Sequence, residues 1–196
     1  MLYNNATITP PLEKKKENSK IIIGYTGRLV SLKRVEYLVE LAQYLISNKF
    51  SDFQIRIVGD GDQRTMLEKE SLKNGLQSYI SFVGFQNDVE KYYTGFDLFV
   101  NPSREECLSI ALIDAAMCGI PSVAFDVGGN NEIILDSQSG YIVKTKEEFF
   151  EKVLFLVKNK RLSDEMGKKA TEHCRKHFSE DVHLQKLESL YKEVLG

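Results

Sequence analysis

From Ile21 onward two hydrophobic periods take turns along the chain. Ile21-Ile22-Ile23-Gly24-Tyr25 is a short, β-branched apolar run and reads as a buried strand. Val35, Leu38, Val39, Ala42, Leu45 and Ile46 then recur at the three-and-four spacing of a helix face. Phe53 to Val58 is a second strand, ended by Gly59-Asp60-Gly61-Asp62. A charged helix over about residues 63–74 follows, with Met66, Leu67 and Leu72 as its inward positions. Ile80 to Val83, closed by Gly84, is a third strand; Asp88 to Tyr93 is a brief helix, and Leu98 to Val100 a fourth strand. The strongly apolar stretch Ile110 to Met117 predicts a helix, and Pro121 to Phe125 a fifth strand. One helical turn is expected over Glu132 to Leu135, and a sixth strand over Gly140 to Val143. Thr145 and Glu148 have the spacing of a capping box for a helix reaching about residue 159. Ser163 with Asp164 and Glu165 reads as the start of another helix, and Ser179 as the cap of the last.

Six short strands alternating with helices imply a parallel sheet covered on both faces. Right-handed crossovers then make an α/β, doubly wound, Rossmann-like sheet the economical topology. Residues 2–19 break the pattern: they are polar, contain Pro10-Pro11 and show no apolar period, as a connector does. The expected organisation is a connector over 1–19, a Rossmann-like unit over 20–160, and C-terminal helices over 161–196 packing on that unit.

Ligands of such sheets sit beyond the carboxyl ends of the strands. The segments of interest are therefore Thr26 to Lys33, Gly59 to Asp62, Gly84 to Asn87, Pro102 to Ser109 and Asp126 to Asn131. Composition narrows the choice of ligand. With 26 Lys+Arg against 28 Asp+Glu the net charge is −2, which lacks the basic excess that nucleic acid demands. Lys14-Lys15-Lys16 lies between Glu13 and Glu17 and reads as solvated linker. At 42% hydrophobic and 28% charged residues the chain is an ordinary folded one, with no run long enough to span a membrane and a polar N-terminus. Three cysteines without a C-x-x-C pair read as reduced thiols of a cytoplasmic protein. His173 and His177 can share a helix face but fall short of the three or four ligands of a zinc site, so no metal is expected.

Two of the loops carry chemistry. Tyr25-Thr26-Gly27-Arg28-Leu29-Val30-Ser31-Leu32-Lys33 is neither a P-loop nor a G-x-G-x-x-G turn, but it places a glycine turn and two cations where a diphosphate would lie. The stretch Pro102-Ser103-Arg104-Glu105-Glu106-Cys107-Leu108-Ser109 runs into the apolar helix that carries Asp114. Glu106 and Asp114 are eight apart; with Asp114 about two turns into the helix, both would project to one side of a cleft. Between them, free amides at the helix start can meet phosphate or sugar oxygens, and an acid accepts sugar hydroxyls.

Taken in order, these motifs resemble the C-terminal, donor-binding half of a retaining GT-B glycosyltransferase of family four. That family shows a Glu, seven residues, then Glu-Ala-Met-Ala-x-Gly-x-Pro; here Glu106 is followed, after seven residues, by Asp114-Ala115-Ala116-Met117-Cys118-Gly119-Ile120-Pro121. Gly27-Arg28-Leu29-Val30 with Lys33, Val58-Gly59-Asp60-Gly61, Phe82-Val83-Gly84, and Asp126-Val127-Gly128-Gly129 with Glu132 fall in the family's order. The similarity spans roughly residues 20–145.

The resemblance implies roles. Arg28 and Lys33 would hold the diphosphate beside the Gly27 turn and stabilise the leaving group, electrostatic catalysis that asks for no metal. Glu106 would reach the donor sugar and Asp114 would accept the ribose hydroxyls. Val83 and Gly84 would meet the base through the backbone, Gly59 and Gly61 would belong to the donor-binding loops, and Cys107, Leu108 and Ser109 would line the phosphate and sugar. Four positions depart from the family pattern: Asp114 for Glu, Cys107 for Gly, Leu32 for an acid and Arg34 for Gly. The donor is expected to be a nucleotide sugar of UDP or GDP type.

A complete GT-B enzyme has two such halves, so the acceptor-binding domain would be the partner of this one, and Leu2-Tyr3-Asn4-Asn5-Ala6 resembles the connector that follows it. The chain alone is expected to bind donor and transfer nothing, with any membrane contact made through the other half. The alternatives are a non-catalytic nucleotide-sugar-binding subunit of a two-chain transferase, or a fragment of a GT-B epimerase or phosphorylase.

Overall fold

Each apolar run becomes one rung of a parallel sheet in the computed structural model, which describes residues 20–195. The strands are β1 (Ile21–Thr26), β2 (Phe53–Val58), β3 (Ile80–Gly84), β4 (Leu98–Asn101), β5 (Ser122–Phe125) and β6 (Gly140–Val143). They lie in the order β3-β2-β1-β4-β5-β6, every neighbouring pair parallel. The chain therefore winds outward from β1 in one direction and from β4 in the other. The reversal between these two adjacent strands opens a crevice at their carboxyl ends.

The connecting helices are α1 (Glu36–Ser47), α2 (Arg64–Lys73), α3 (Glu90–Tyr93), α4 (Ile110–Met117), α5 (Asn130–Ile133), α6 (Lys146–Lys158), α7 (Lys160–Phe178) and α8 (Glu180–Leu195). Consecutive strand residues face opposite cores. Ile23, Val100 and Val123 join Leu38, Leu41 and Leu45 of α1 and Phe149 and Val153 of α6. Ile22, Phe99 and Ala124 join Leu112 and Ala116 of α4 and Ala170, Cys174 and Phe178 of α7. Both faces of the sheet are covered, which is why its strands are apolar at nearly every position rather than at alternate ones. No helix among the described residues is long and apolar enough to cross a membrane.

Several boundaries and faces differ from the expectation. On α2 only Leu67 and Ser71 turn inward; Met66 and Leu72 are 49% and 61% exposed, because the inward stripe of this polar helix is one residue wide. Ile46, at the end of α1, is likewise exposed. Helix α7 begins at Lys160, three residues before Ser163, since a single residue, Asn159 at φ −120 and ψ 63, breaks it from α6. Ser163 is thus a small buried residue inside a helix rather than its cap. The helical turn expected over Glu132 to Leu135 lies at Asn130–Ile133 instead, because it starts directly after Gly129, and the Leu135 amide is taken by the Ser139 hydroxyl at 2.8 Å. The capping box holds: the Glu148 amide donates to Thr145 Oγ1 at 3.1 Å and the Thr145 amide to Glu148 Oε2 at 3.4 Å. Ser179 accepts from the Val182 amide at 3.4 Å, as an N-cap does. The connector 1–19, with Leu2 to Ala6, lies outside the described residues.

Candidate functional site

Three loops are braced backbone to backbone at the carboxyl edge of the sheet. The Gly27 amide donates to Val58 O at 3.0 Å, the Leu29 amide to Asp60 O at 2.9 Å, and the Gln63 amide to Leu29 O at 3.0 Å. This contact needs glycine: a Cβ on Gly59 would collide with the Gly27 carbonyl oxygen, and one on Gly61 with that of Leu29. The Gly59 amide also donates to Gly84 O at 2.9 Å, tying in the end of β3. Here the β2–β3 register skips Val83, which packs toward the second core, and the Arg64 guanidinium lies over Gly84. Arg64 is held by Asp60 at 2.7 Å and by Glu68 at 2.8 Å. The Gly61 amide and then the Arg64 guanidinium hold the Asp60 carboxyl below its usual range.

At the crevice itself, the loops after β1 and β4 are joined by an ion pair. Lys33 Nζ donates to Glu106 Oε1 at 2.7 Å across 73 residues of sequence, with the two side chains only 21% and 12% exposed. A backbone bond from the Arg104 amide to Leu32 O at 2.8 Å runs alongside. The same Glu106 oxygen accepts from Asn101 Nδ2 at 3.2 Å. The segment behind Glu106 is backed by the loop after β5: the Gly129 amide donates to Cys107 O at 2.8 Å, and any Cβ on Gly128 would strike the Glu106 carbonyl oxygen. Leu108 lies against Gly129. Ser109 stands at the N-cap of α4 without capping it by side chain; its hydroxyl meets Asn101 Nδ2 at 3.1 Å. Cys107 is exposed and forms no disulfide, and no hydrogen bond or ion pair to its side chain is seen among the described residues.

Arg28 is exposed at the rim, and among the described residues no acid forms an ion pair with it. Its carbonyl accepts from the hydroxyl of buried Tyr25 at 3.1 Å. Burial raises the Tyr25 hydroxyl's pKa, the Glu106 charge adds to this, and Arg28 opposes it, so cation and acid act on one strand end. On the other face of β1, Thr26 Oγ1 meets Tyr93 Oη at 2.6 Å. The Tyr93 hydroxyl is likewise raised by burial, with the Asp114 charge contributing after the Thr26 bond that opposes it.

Asp114 therefore sits near the end of β1, but not as the spacing suggested. It stands one turn into α4, whose first residue is Ile110, and is 3% exposed rather than projecting into open cleft beside Glu106. The structure thus brings Lys33, Glu106, Ser109 and the backbone of Cys107 together, sets Arg28 at the rim, places Gly27, Gly59, Gly61, Val83 and Gly84 on the adjoining segments at the ends of β1, β2 and β3, and buries Asp114. Asn101 escaped the sequence reading. Its signal was present, a lone polar residue at the last position of the otherwise apolar β4. His173 and His177 share a face, with ring centroids 4.7 Å apart, and no group of three metal-ligating side chains occurs among the described residues.

The chain is similar to known proteins over most of its length. The family model described as glycosyl transferases group 1 matches residues 10–173. A poly(ribitol-phosphate) alpha-N-acetylglucosaminyltransferase of Staphylococcus aureus is 29% identical over 173 residues, 87% of this chain and 35% of the relative. An alpha-D-kanosaminyltransferase of Streptomyces kanamyceticus is 30% identical over 177 residues, 88% of this chain and 46% of the relative. Among solved structures, a mutant of S. aureus TarM in complex with fondaparinux, alpha-GlcNAc-glycerol and UDP superposes with a TM-score of 0.78 at 28% identity, covering 96% of this chain and 37% of that one. The chain spans about half or less of the length of such relatives.

Proposed function

The chain belongs to the glycosyl transferases of group 1, and from that premise we propose that it is the donor-binding half of a retaining enzyme that takes a sugar from a nucleoside-diphosphate sugar. The observation that carries this reading is the Lys33–Glu106 pair spanning the crevice where the sheet reverses. An ammonium has three N–H donors, so Lys33 can keep its bond to Glu106 and still offer two to phosphate oxygens. Arg28, exposed and in no ion pair among the described residues, supplies a forked guanidinium for the same diphosphate.

In the reaction so proposed, negative charge builds on the departing nucleoside diphosphate as its bond to the sugar breaks. Arg28 and Lys33 meet that charge with groups already in place, which is where electrostatic stabilisation acts without reorganisation. Glu106, Cys107, Leu108 and Ser109 border the sugar, with the glycine pair Gly128-Gly129 backing their main chain. Asp114 accepts the ribose hydroxyls beneath, and Val83 and Gly84 meet the base. The acceptor groups come from the remainder of a protein as long as the relatives.

The UDP in the TarM complex supports UDP as the first nucleotide to try. Titration of UDP, GDP and ADP by calorimetry should show one preferred base. Lys33→Ala should weaken that diphosphate about tenfold or more while leaving the bare nucleoside unchanged, as expected for loss of a charged hydrogen bond. No binding of any of the three, or equal loss for diphosphate and nucleoside, counts against the reading.

A further inference from the structure

Glu106 is reached by two donors of different kinds, and only one of them is free of competing demands. Lys33 is a cation on a long side chain that a diphosphate would attract strongly. Asn101 is neutral, 4% exposed, and sits at the end of β4. Each of its polar groups is used. Oδ1 accepts from the Ser103 amide at 3.1 Å; Nδ2 donates to Glu106 Oε1 at 3.2 Å and to Ser109 Oγ at 3.1 Å. The Ser103 amide can only donate and the Glu106 carboxylate can only accept, so the amide has one orientation and cannot flip without losing both bonds.

We propose that Asn101 is a positioning residue for Glu106: it keeps the carboxylate in its sugar-facing place while the Lys33 ammonium shares its donors with the diphosphate. This rests on the donor-site reading above. A rigid strand end thereby holds a long, otherwise rotatable side chain, and the bond to Ser109 ties the same point to the start of α4. The partner is neutral, so it neither draws phosphate away from Lys33 nor adds charge beside the sugar.

The test uses this chain with UDP and UDP-N-acetylglucosamine as probes. Asn101→Ala removes all three bonds together with side-chain volume, whereas Asn101→Leu removes the same bonds at nearly constant volume and without adding charge. Both variants should hold UDP affinity within about twofold, because the diphosphate meets Arg28 and Lys33 directly and Asn101 only through Glu106. Both should lower affinity for the nucleotide sugar about fivefold, the worth of one such bond. In a Glu106→Ala background neither should cause any further loss. The 13C order of the Glu106 Cγ should fall in both variants, while the backbone amides of residues 105–109 keep theirs. The same loss persisting without Glu106, or an unchanged Cγ order, overturns the proposal. Should the parent chain bind neither probe, the donor reading fails, and the Glu106 order measurement decides the role of Asn101 alone.

Discussion

Arg28 and Asp114 stand at opposite ends of the proposed nucleotide, and their substitutions should separate it into parts. Arg28→Ala is expected to weaken UDP about tenfold or more and leave uridine unchanged, because only the diphosphate meets the guanidinium. Asp114→Asn should weaken UDP and uridine alike, by about fivefold, since both carry the ribose. Calorimetric titration of each variant with both ligands is the check, and a swapped pattern would reverse the two assignments. A second residue-level test concerns the glycine behind Glu106. Gly128 has φ +53, and an added Cβ would meet the Glu106 carbonyl oxygen, backbone that cannot swing aside. Gly128→Ala should therefore cost about 1–3 kcal/mol in urea denaturation and also disturb sugar binding through the Glu106–Cys107 main chain. Arg34 is the contrasting case. It holds φ 47 at a position where the resembling family carries glycine, and its guanidinium lies 5.1 Å from the Phe125 ring centroid and 5.6 Å from that of Tyr37. Contacts with two rings offset part of the left-handed strain.

Among the elements, α6 and α7 show how local signals and distant contacts divide the work. The start of α6 is set by Thr145 and Glu148 alone, and Thr145→Ala should cost about 1 kcal/mol in thermal or chemical unfolding without touching ligand affinity. Helix α7 owes its place to packing: Met166, Ala170, Cys174 and Phe178, each four apart, are buried on one stripe. The Cys174 thiol is pushed up to about 12 by that burial, so it behaves as a small apolar side chain. On the flank of the stripe, His173 Nε2 meets the Glu132 carbonyl at 2.8 Å, bracing α5 and with it the turn behind Glu106. His177 is held below its ordinary value of 6.5, first by partial burial and then by His173, Lys176 and Lys186. A histidine depressed in the folded state takes up its proton more readily when unfolded. Its contribution is present above the ordinary value and is lost as pH falls from there through the lowered folded-state value. Melting temperature should therefore drop as the pH is lowered below about 6.5, and His177→Gln should flatten that drop.

For the whole molecule, the proposed division of labour makes a direct prediction: the 196-residue chain binds its nucleotide sugar, raising its melting temperature as ligand is added, yet transfers no sugar to an acceptor. A radiolabelled transfer assay with the isolated chain checks this, and any acceptor-dependent product would overturn it. Strand and helix order, the two covered faces, the capping box and the loops that border the crevice were all legible from the sequence. Each follows from a period or a spacing within about twenty neighbouring residues, where local backbone preference and burial agree. Which loops meet was decided by the sheet. Only the order β3-β2-β1-β4-β5-β6 sets the ends of β1 and β4 side by side, so that Lys33 finds Glu106 across 73 residues. Asp114 moved from an open cleft to a buried place because its exposure depends on what packs around α4, Tyr93 from another segment included, and not on where the helix begins, which is Ile110 as expected. Asn101 became visible for the same reason, since the value of one amide at a strand end lies in the three groups that folding brings around it. Periodicity along a chain reports what each residue must face, solvent or core; it carries no record of which distant residue will share that environment, and that pairing is what makes the site.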